Sequence, residues 1–545
     1  MIQMPWRLFG AATALILTAG LLSGPVASAE DAQAASGERT ETVVDLADGI
    51  VVSEVKLRSL LHTAAPHPEA CDWISYLRYR FSDSPEDPQR GNGVLLAQPF
   101  VSRGAVSLDG IARSTLSGAK VRGRSVEWWS LPMRSACAMD STGLASGDAS
   151  TALDYYFHGK PIDGHTFAGF GQDRYLSDLG IEQIVRDQYE VLTRELPSPE
   201  FRRTKAFCGG HGTGALQTMI FADWDFDGRP GGENCAGLFA LDGPLDPDPL
   251  MIETNPILKW ASGLMGQGYT AAVAAIENGT LPSPLAGLPV LGPEAAMLLP
   301  ITALEAVAEG DEETTLHQQF PRTGPVEWTN RINFGQSSAD IALGTNVIQD
   351  YRFSGLGLLG TMIGGTSLNL PIFATTTGTL SGGPVIDRHF PLPGQLRNLP
   401  AVGDLFAAFT GGADRVAPTD RTALYGWRND EDKQPISVIA ARMATMLGSQ
   451  SWVDSTVPTR WAADITAILS GVHDGSLAGF RHPEQTRTLP HYVTVGGNSF
   501  HLPLANAGLA WPSDTVRVPG YTQADAVAGG PNDAVVQGLT TFVTG

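Results

Sequence analysis

The side chains best suited to chemistry surround one glycine-rich turn. Residues 209–214 read Gly-Gly-His-Gly-Thr-Gly and follow the short apolar segment Lys205–Cys208. That segment predicts a strand, and the apolar residues after Thr213 recur at helical spacing, so we expect the turn to join a strand to a helix. His211 supplies an imidazole and Thr213 a hydroxyl group, which are the groups of a general base and of a nucleophile.

Each of these side chains also has a structural interpretation. A threonine at the start of a helix usually caps it, so we expect capping for Thr213, with nucleophilic attack as the alternative. We expect His211 to pack beside the site, with general base as the alternative. His491 and His501 lie further along the chain and could reach the same pocket, although we expect a surface or core position for both.

The segment Asp223–Gly228 imitates the opening of a calcium loop, D-x-D-x-D-G. The twelfth position of such a loop would be Asn234, and Glu233 comes one residue too early to supply the bidentate carboxylate. We therefore interpret the segment as the exit of the preceding helix and predict no metal site and no cofactor.

Composition limits the classes of protein and of partner. The 545 residues are 43% hydrophobic and carry a formal net charge of −21, so disorder, collagen and coiled coil are excluded as the main state. An acidic chain repels phosphate backbones and anionic membranes, so we predict no nucleic-acid partner. The sequence gives no indication of an oligomeric state.

The first residues predict a signal peptide. Arg7 precedes the apolar run Leu8–Leu22, and Ala27-Ser28-Ala29 forms an A-x-A cleavage site. The run is shorter than the ~20 residues needed to span a bilayer, so we expect secretion after cleavage near Ala29 and no stable membrane insertion. Residues 30–50 are polar and are expected to form a flexible leader.

Four cysteines in an exported chain allow disulfides. We expect Cys71 to pair with Cys137. Cys208 and Cys235 are expected near opposite ends of neighbouring parallel strands, too far apart to bond, so Cys208 is predicted to be a free core thiol.

Strand-like and helix-like segments alternate along the chain. Such alternation predicts an α/β fold with a mostly parallel central sheet flanked by helices. The predicted strands are 93–99, 125–131, 205–208, 236–241, 404–409 and 515–518, and the predicted helices begin near Ile181, Thr213 and Ala534. The predicted organisation is a first part of the core at 51–245, an apolar cap insertion at 246–400, a core strand followed by a loop with a candidate acid residue at 401–425, a second insertion at 426–500, and the last strand with a closing helix at 501–545.

The chain resembles secreted bacterial α/β-hydrolases of esterase or lipase type. In that family a strand–turn–helix carries G-x-S-x-G, the nucleophile elbow, in which small residues let the helix pack close to the strand. The resemblance covers most of residues 70–245 and 401–545. It rests on 209–214, the segment Ala-Asp-Trp-Asp-Phe-Asp-Gly at 222–228, Leu241-Asp242-Gly243, Asp154-Tyr155-Tyr156, Gly159-Lys160-Pro161 and Pro519-Gly520-Tyr521.

The resemblance assigns the catalytic positions to residues that lack the necessary groups. Gly212 stands at the nucleophile position and Gln523 at the position of the base histidine, whereas Asp414 keeps the acid position and Asp242 is a second acid candidate. Glycine has no nucleophile, and an amide is not a general base near neutral pH.

The resemblance also implies an oxyanion or ligand-binding pocket. Backbone N–H groups of Thr213 and of the segment around Phe100 would line it, with His211 and Asp242 beside it. We therefore expect a protein that binds a hydrophobic small molecule, an ester or acyl compound, with little or no serine-hydrolase turnover. The alternative is an active carboxylic-ester hydrolase with its nucleophile and base at other positions; metal-assisted hydrolysis lacks an H-E-x-x-H or similar motif.

Overall fold

Fully buried apolar strands form the centre of a nine-stranded sheet. In spatial order they are β1 (Arg39–Ala47), β2 (Ile50–Arg58), β3 (Trp73–Phe81), β5 (Val126–Ser130), β4 (Gly93–Gln98), β6 (Ala206–His211), β9 (Gly237–Leu241), β16 (His491–Gly496) and β17 (Val516–Val518). β1, β2, β3 and β5 pair antiparallel, and every pair from β5 to β17 in this sheet is parallel. β7 (Asp225–Phe226) and β8 (Arg229–Pro230) form a separate antiparallel pair. The predicted mostly parallel sheet is confirmed.

The computed structural model describes most of the chain after residue 38. The described ranges are 39–101, 103–170, 173–245, 256–284, 292–322, 324–364, 377–387, 416–431, 433–447, 456–473, 475–499, 501–502 and 511–545. The predicted signal peptide and the predicted strand 404–409 lie outside the described residues.

Helices cover both faces of the sheet. They are α1 (Asp109–Val121), α2 (Thr142–Ala145), α3 (Ala149–Phe157), α4 (Ile181–Glu195), α5 (Pro199–Lys205), α6 (Thr213–Asp223), α7 (Pro256–Glu277), α8 (Pro293–Glu309), α9 (Gly324–Phe334), α10 (Ser338–Leu343), α11 (Gly355–Ile363), α12 (Ile436–Thr445), α13 (Thr459–Leu469), α14 (Gln485–Thr488), α15 (Asp525–Ala528) and α16 (Ala534–Thr544). Alternation along β4 shows the two cores: Leu95 and Ala97 pack on the side of α1 and α16, whereas Val94 and Leu96 pack on the side of α4 and α6.

The chain between β9 and β16 forms the inserted part of the molecule. Its short strands are β10 (Glu313–Thr314), β11 (Arg352–Ser354), β12 (Gly378–Ser381), β13 (Val385–Asp387), β14 (Val416–Pro418) and β15 (Leu424–Asn429). α8 packs against α11, α12 and α3, so the insertion shares apolar core with the α1 side of the sheet. No described helix has both the length and the apolar character of a membrane span.

Two expectations about the course of the chain are corrected. The predicted flexible leader includes β1, which is an ordered edge strand although most of its side chains are exposed. It is held by its ladder with β2 and by ion pairs of Arg39 with Glu195 and of Glu41 with Arg78, not by burial. The strand that follows β9 in the sheet is β16, which lies inside the range 426–500 expected to be an insertion.

Two disulfides are present, and one of them overturns an expectation. Cys71 bonds to Cys137 as predicted, but Cys208 bonds to Cys235 and no described cysteine is free. Cys208 is the third residue of β6, and Cys235 lies two residues before the start of β9. Because β6 and β9 are parallel and in register, both cysteines lie at the same end of the sheet, with Cα atoms 5.8 Å apart.

Thiol titration tests the disulfide assignment. The chain unfolded in denaturant without reductant should show no free thiol, and alkylation should add four groups only after reduction. Two thiols that react before reduction would match a free Cys208 and Cys235 and contradict the structure. The Cys208→Ala/Cys235→Ala double variant should lower the free energy of unfolding by about 3 kcal/mol, because it releases a closed loop of the unfolded chain.

Candidate functional site

The glycine-rich turn is a sharp elbow at the carboxyl end of β6. Gly212 has φ 54° and ψ −113°, and α6 begins at the next residue. The Gly212 N–H donates to the Leu241 carbonyl at 3.0 Å, which ties the elbow to the end of β9. A strand, a strained turn and a helix in this order, within parallel strands flanked by helices, form an α/β-hydrolase fold.

The neighbouring glycines are required by close backbone packing. A Cβ on Gly214 would lie 2.1 Å from the Gln98 carbonyl oxygen, and one on Gly210 would lie 2.3 Å from the Gly214 carbonyl carbon. The start of α6 therefore packs directly on the loop after β4, where no side chain would fit.

The space into which a nucleophile would project is already filled. A Cβ on Gly212 would lie 2.5 Å from Gln523 Nε2 and 2.5 Å from Phe100 Cδ2. The elbow thus lacks a nucleophile and also lacks room for one in the present arrangement. The structure brings together four of the residues singled out by the sequence: Gly212, Gln523, Phe100 and His211.

Gln523 is held rigidly in the loop after β17. His211 Nε2 donates to the Gln523 carbonyl oxygen at 2.9 Å, and the Thr522 N–H and hydroxyl donate to Asp525 at 2.6 and 2.8 Å. The Gln523 side chain is fully buried, and neither Oε1 nor Nε2 has a hydrogen-bond partner among the described residues. A buried amide without a hydrogen-bond partner carries a desolvation cost.

His211 is neutral in the folded protein. Burial lowers its pKa to about 4, an effect that outweighs the opposing hydrogen bond to Gln523 and the charge of Asp242. Because a carbonyl only accepts, the proton is on Nε2, and the buried Nδ1 is an acceptor without a partner in the described structure. His211 therefore positions the loop of Gln523, and such a low pKa makes it a poor general base near neutral pH.

One backbone N–H group of the expected oxyanion pocket already donates a hydrogen bond within the protein. The Val101 N–H donates to the Thr213 hydroxyl at 2.8 Å. Thr213 is the first residue of α6, and Gly212 is the N-cap, so the expected capping by Thr213 is wrong. Its hydroxyl fixes the loop after β4, which holds Phe100 against Gly212. Near the start of α6, the Ala215 N–H donates to the Gly212 carbonyl at 3.1 Å.

A second polar cluster lies at the same end of the sheet. Asp242, after β9, accepts hydrogen bonds from the Gly496 N–H at 2.7 Å, the Ser499 hydroxyl at 2.6 Å and His501 Nδ1 at 3.0 Å. All three side chains are buried. The sequence suggested Asp242 and His501 separately, and it missed Ser499 and the cluster, because no spacing rule connects residues this far apart.

The remaining predicted residues are outside this site or outside the described chain. Asp414 lies outside the described residues. His491 begins β16, at the opposite end of the sheet, and contacts Asp514 at 3.1 Å. In the calcium-like segment, Asp223 accepts from Thr486 and Asp225 accepts from Gly228 and His482, so these carboxylates are structural. The described residues contain no cluster of three or more potential metal ligands.

Comparison with known proteins gives limited similarity. No family model and no curated protein matches this sequence. A prohormone-processing carboxypeptidase from Saccharomyces cerevisiae is 14% identical, with a TM-score of 0.21 over 42% of this chain and 47% of the carboxypeptidase. A laboratory-evolved variant of potato epoxide hydrolase is 11% identical, with a TM-score of 0.28 over 89% and 94%. At such TM-scores neither structure informs the function.

The crowding at Gly212 is tested by a pair of alanine variants. Gly212→Ala should lower the free energy of unfolding by about 3 kcal/mol, because it combines backbone strain with two close contacts. Gly228→Ala is the matched control: Gly228 also has a positive φ, of 83°, but no atom lies within 4 Å of its Cβ position. The control should cost only about 1 kcal/mol. Equal losses for the two variants in urea unfolding would contradict the crowding.

The neutral state of His211 predicts a pH dependence of stability. As the pH falls, the unfolded chain takes up a proton at His211 near pH 6.5, whereas the folded chain does so only near pH 4. The unfolded state binds more protons in this window, so this contribution destabilises the fold by up to about 3 kcal/mol as the pH falls from 7 to 4.

Unfolding free energies measured at several pH values test this effect. His211→Gln should reduce the loss of stability between pH 7 and pH 4. His62→Gln, which changes an exposed imidazole, is the control and should retain the full loss. An unchanged pH dependence in His211→Gln would show that His211 is not buried in its neutral form.

Proposed function

We propose that this protein is exported and binds a hydrophobic ester or acyl ligand, with little or no serine-hydrolase turnover. One observation carries the proposal: the space into which a nucleophilic side chain at Gly212 would project is occupied. Gln523 Nε2 and Phe100 Cδ2 both lie 2.5 Å from the place where the Cβ of a nucleophile at Gly212 would be. Gly212 and Gln523, the residues at the two catalytic positions, are therefore packed against each other.

Ligand binding is supported by polar groups that remain available at the elbow. The buried Gln523 amide offers a donor and an acceptor, and the buried His211 Nδ1 offers an acceptor. Their burial makes hydrogen bonds to a ligand stronger than they would be in water. The expected apolar cap would supply the surface for the hydrocarbon part of the ligand.

Export is supported by two independent features. The N-terminal segment has the pattern of a signal peptide, and the chain forms two disulfides, which persist in oxidising compartments.

A second candidate function is ester hydrolysis that uses the Asp242 cluster. The observation in its favour is the 3.0 Å contact of Asp242 with His501 Nδ1, which orients the imidazole as the acid of a triad does. Against it, the Ser499 hydroxyl donates its proton to Asp242 and not to a histidine, so it is not activated for attack. We therefore rank this function below ligand binding.

A p-nitrophenyl ester series separates the two functions. Short-chain and long-chain esters should not be hydrolysed by the unmodified chain, and a fluorophosphonate should not label it. Gly212→Ser should also be inactive, because its hydroxyl would meet Gln523 and Phe100 and would have no base. Binding should be visible as saturable quenching of tryptophan fluorescence by a decanoyl compound.

Turnover by the unmodified chain would overturn the proposal. His501→Gln and Ser499→Ala would then show whether the Asp242 cluster is responsible, with His491→Gln, at the other end of the sheet, as the matched control. Activity gained by Gly212→Ser alone would also contradict the proposal, since it would mean that a base is present and that the elbow has room for a nucleophile.

A further inference from the structure

We propose that the Cys71–Cys137 disulfide is a thiol-exchange site of the native fold, at which a low-molecular-weight thiol attacks the Cys137 sulfur. The Cys208–Cys235 disulfide is closed to the same reaction. This inference does not depend on the ligand at the elbow. It follows from the different burial of the four cysteines and from a cleft beside one of them.

The two disulfides differ in their access to solvent. Cys208 and Cys235 are 0% and 2% exposed and pack in the apolar core on the α4 and α6 side of the sheet. Cys71 is also 0% exposed, whereas Cys137 is partly exposed. Thiol–disulfide exchange requires that the attacking sulfur reach one sulfur of the bond. Of the four cysteines, Cys137 is therefore the one that a thiol can reach without unfolding the chain.

Cys137 lines a cleft at the edge of the sheet where β5 ends. β3 runs antiparallel to β5 with Leu77 opposite Ser130, so the residues before Leu77 extend beyond the end of β5. The cleft lies there and has an empty volume of about 320 Å³, part of it open to solvent, which limits its occupant to a small molecule. Its other lining residues include Ala70, Trp73, Met133, Arg134 and Asp187.

The charges beside the cleft are paired with each other. Arg134 Nε donates to Asp187 Oδ2 at 2.9 Å, and both side chains are buried. A guanidinium without a partner would favour a thiolate, but the carboxylate of Asp187 offsets this effect. Access to the sulfur, and not a nearby positive charge, is therefore what makes Cys137 the point of attack.

Hydrogen bonds hold the chain around Cys71 independently of the disulfide. Arg134 Nη1 donates to the carbonyls of Ser59 and Cys71 at 2.7 and 3.4 Å. The Ser59 N–H donates to the Asp72 carbonyl, and the Leu61 N–H donates to the Asp72 carboxylate, both at 2.9 Å. These bonds keep the two cysteines near each other when the disulfide opens, so the exchange is reversible within the folded chain.

The exchange proceeds by two displacements at sulfur. A thiolate attacks Cys137 Sγ and forms a mixed disulfide; the Cys71–Cys137 bond breaks, and its electron pair leaves on Cys71 Sγ, which takes a proton from water. A second thiolate then attacks the sulfur of the bound thiol and releases Cys137 as a thiolate. Two small thiols are oxidised to one small disulfide, and the protein disulfide is reduced to two thiols.

Peptide mapping after incubation of the native mature chain with 2-mercaptoethanol tests the inference. The reaction is quenched with acid, and the adducts are located by mass spectrometry. The mixed disulfide should form on Cys137, at a rate that rises in proportion to the thiol concentration. The Cys208–Cys235 bond should open at least about 10-fold more slowly, because the chain must first unfold around it.

A matched pair of serine variants tests which sulfur is accessible. Cys71→Ser leaves the Cys137 thiol, which iodoacetamide should alkylate in the native protein. Cys137→Ser leaves the Cys71 thiol, which should react about 10-fold or more slowly until urea is added, because it is buried. Both variants lack the same disulfide, so any loss of stability is common to the pair.

A variant with both disulfides intact tests the role of the cleft. Ala70→Leu adds apolar volume to a cleft-lining position and should slow the exchange in the native chain about 5-fold, with no effect in urea. Ala64→Leu is the matched control: Ala64 is exposed and does not line the cleft, so the rate should stay unchanged.

Three results would overturn the inference. The first is an adduct on Cys71, Cys208 or Cys235, or equal rates of opening for the two disulfides. The second is a rate that stays constant as the thiol concentration rises, since unfolding would then precede the exchange. The third is equal alkylation of the two serine variants in the absence of urea.

Discussion

The absence of space at Gly212 is the constraint on which the rest of the site depends. The chain leaves β6, turns through a left-handed residue and enters α6 while the Gly212 N–H stays bonded to the end of β9. Only glycine at positions 210 and 214 lets α6 start against the loop after β4. This close packing brings Phe100 and Gln523 to the volume that would otherwise hold a nucleophile. The strand–turn–helix geometry of the elbow is therefore formed with a glycine at its tip.

The polar groups beside the elbow, His211 and Asp242, are held by burial and by hydrogen bonds. Burial keeps His211 neutral, and its Nε2–H donates a hydrogen bond to the Gln523 carbonyl oxygen. Both carboxylate oxygens of Asp242 already accept hydrogen bonds, from the Gly496 N–H, the Ser499 hydroxyl and His501 Nδ1. General acid–base catalysis needs a group that titrates near the working pH and faces the reacting atom, and His211 does not titrate in that range. The Gln523 amide and His211 Nδ1 are buried without partners in the described structure. In the proposed function these atoms bind the head group of the ligand.

Whether a strand or helix could be predicted from the sequence depended on which interactions stabilise it. β4, β6, β9 and α6 are buried apolar segments, so their sequence pattern was sufficient to predict them. β1 escaped prediction because a neighbouring strand and ion pairs stabilise it, and hydropathy reports neither. The Cys208–Cys235 bond escaped because the register of β6 against β9 decides which residues share one end of the sheet. The place of β16 beside β9 likewise depends on pairing and not on local composition.

The sequence by itself determined the residue types at the elbow: a glycine where attack would begin and a glutamine where a base is expected, between segments that alternate as strand and helix. Only the tertiary structure decided that these two residues touch. It also decided that the Val101 N–H donates to the Thr213 hydroxyl and that Asp242 orients His501. The last pair is 259 residues apart in the chain, and His211 and Gln523 are 312 apart. The physical reason is the parallel sheet, which collects the carboxyl ends of distant strands at one edge, so that side chains without any local pattern in common meet there.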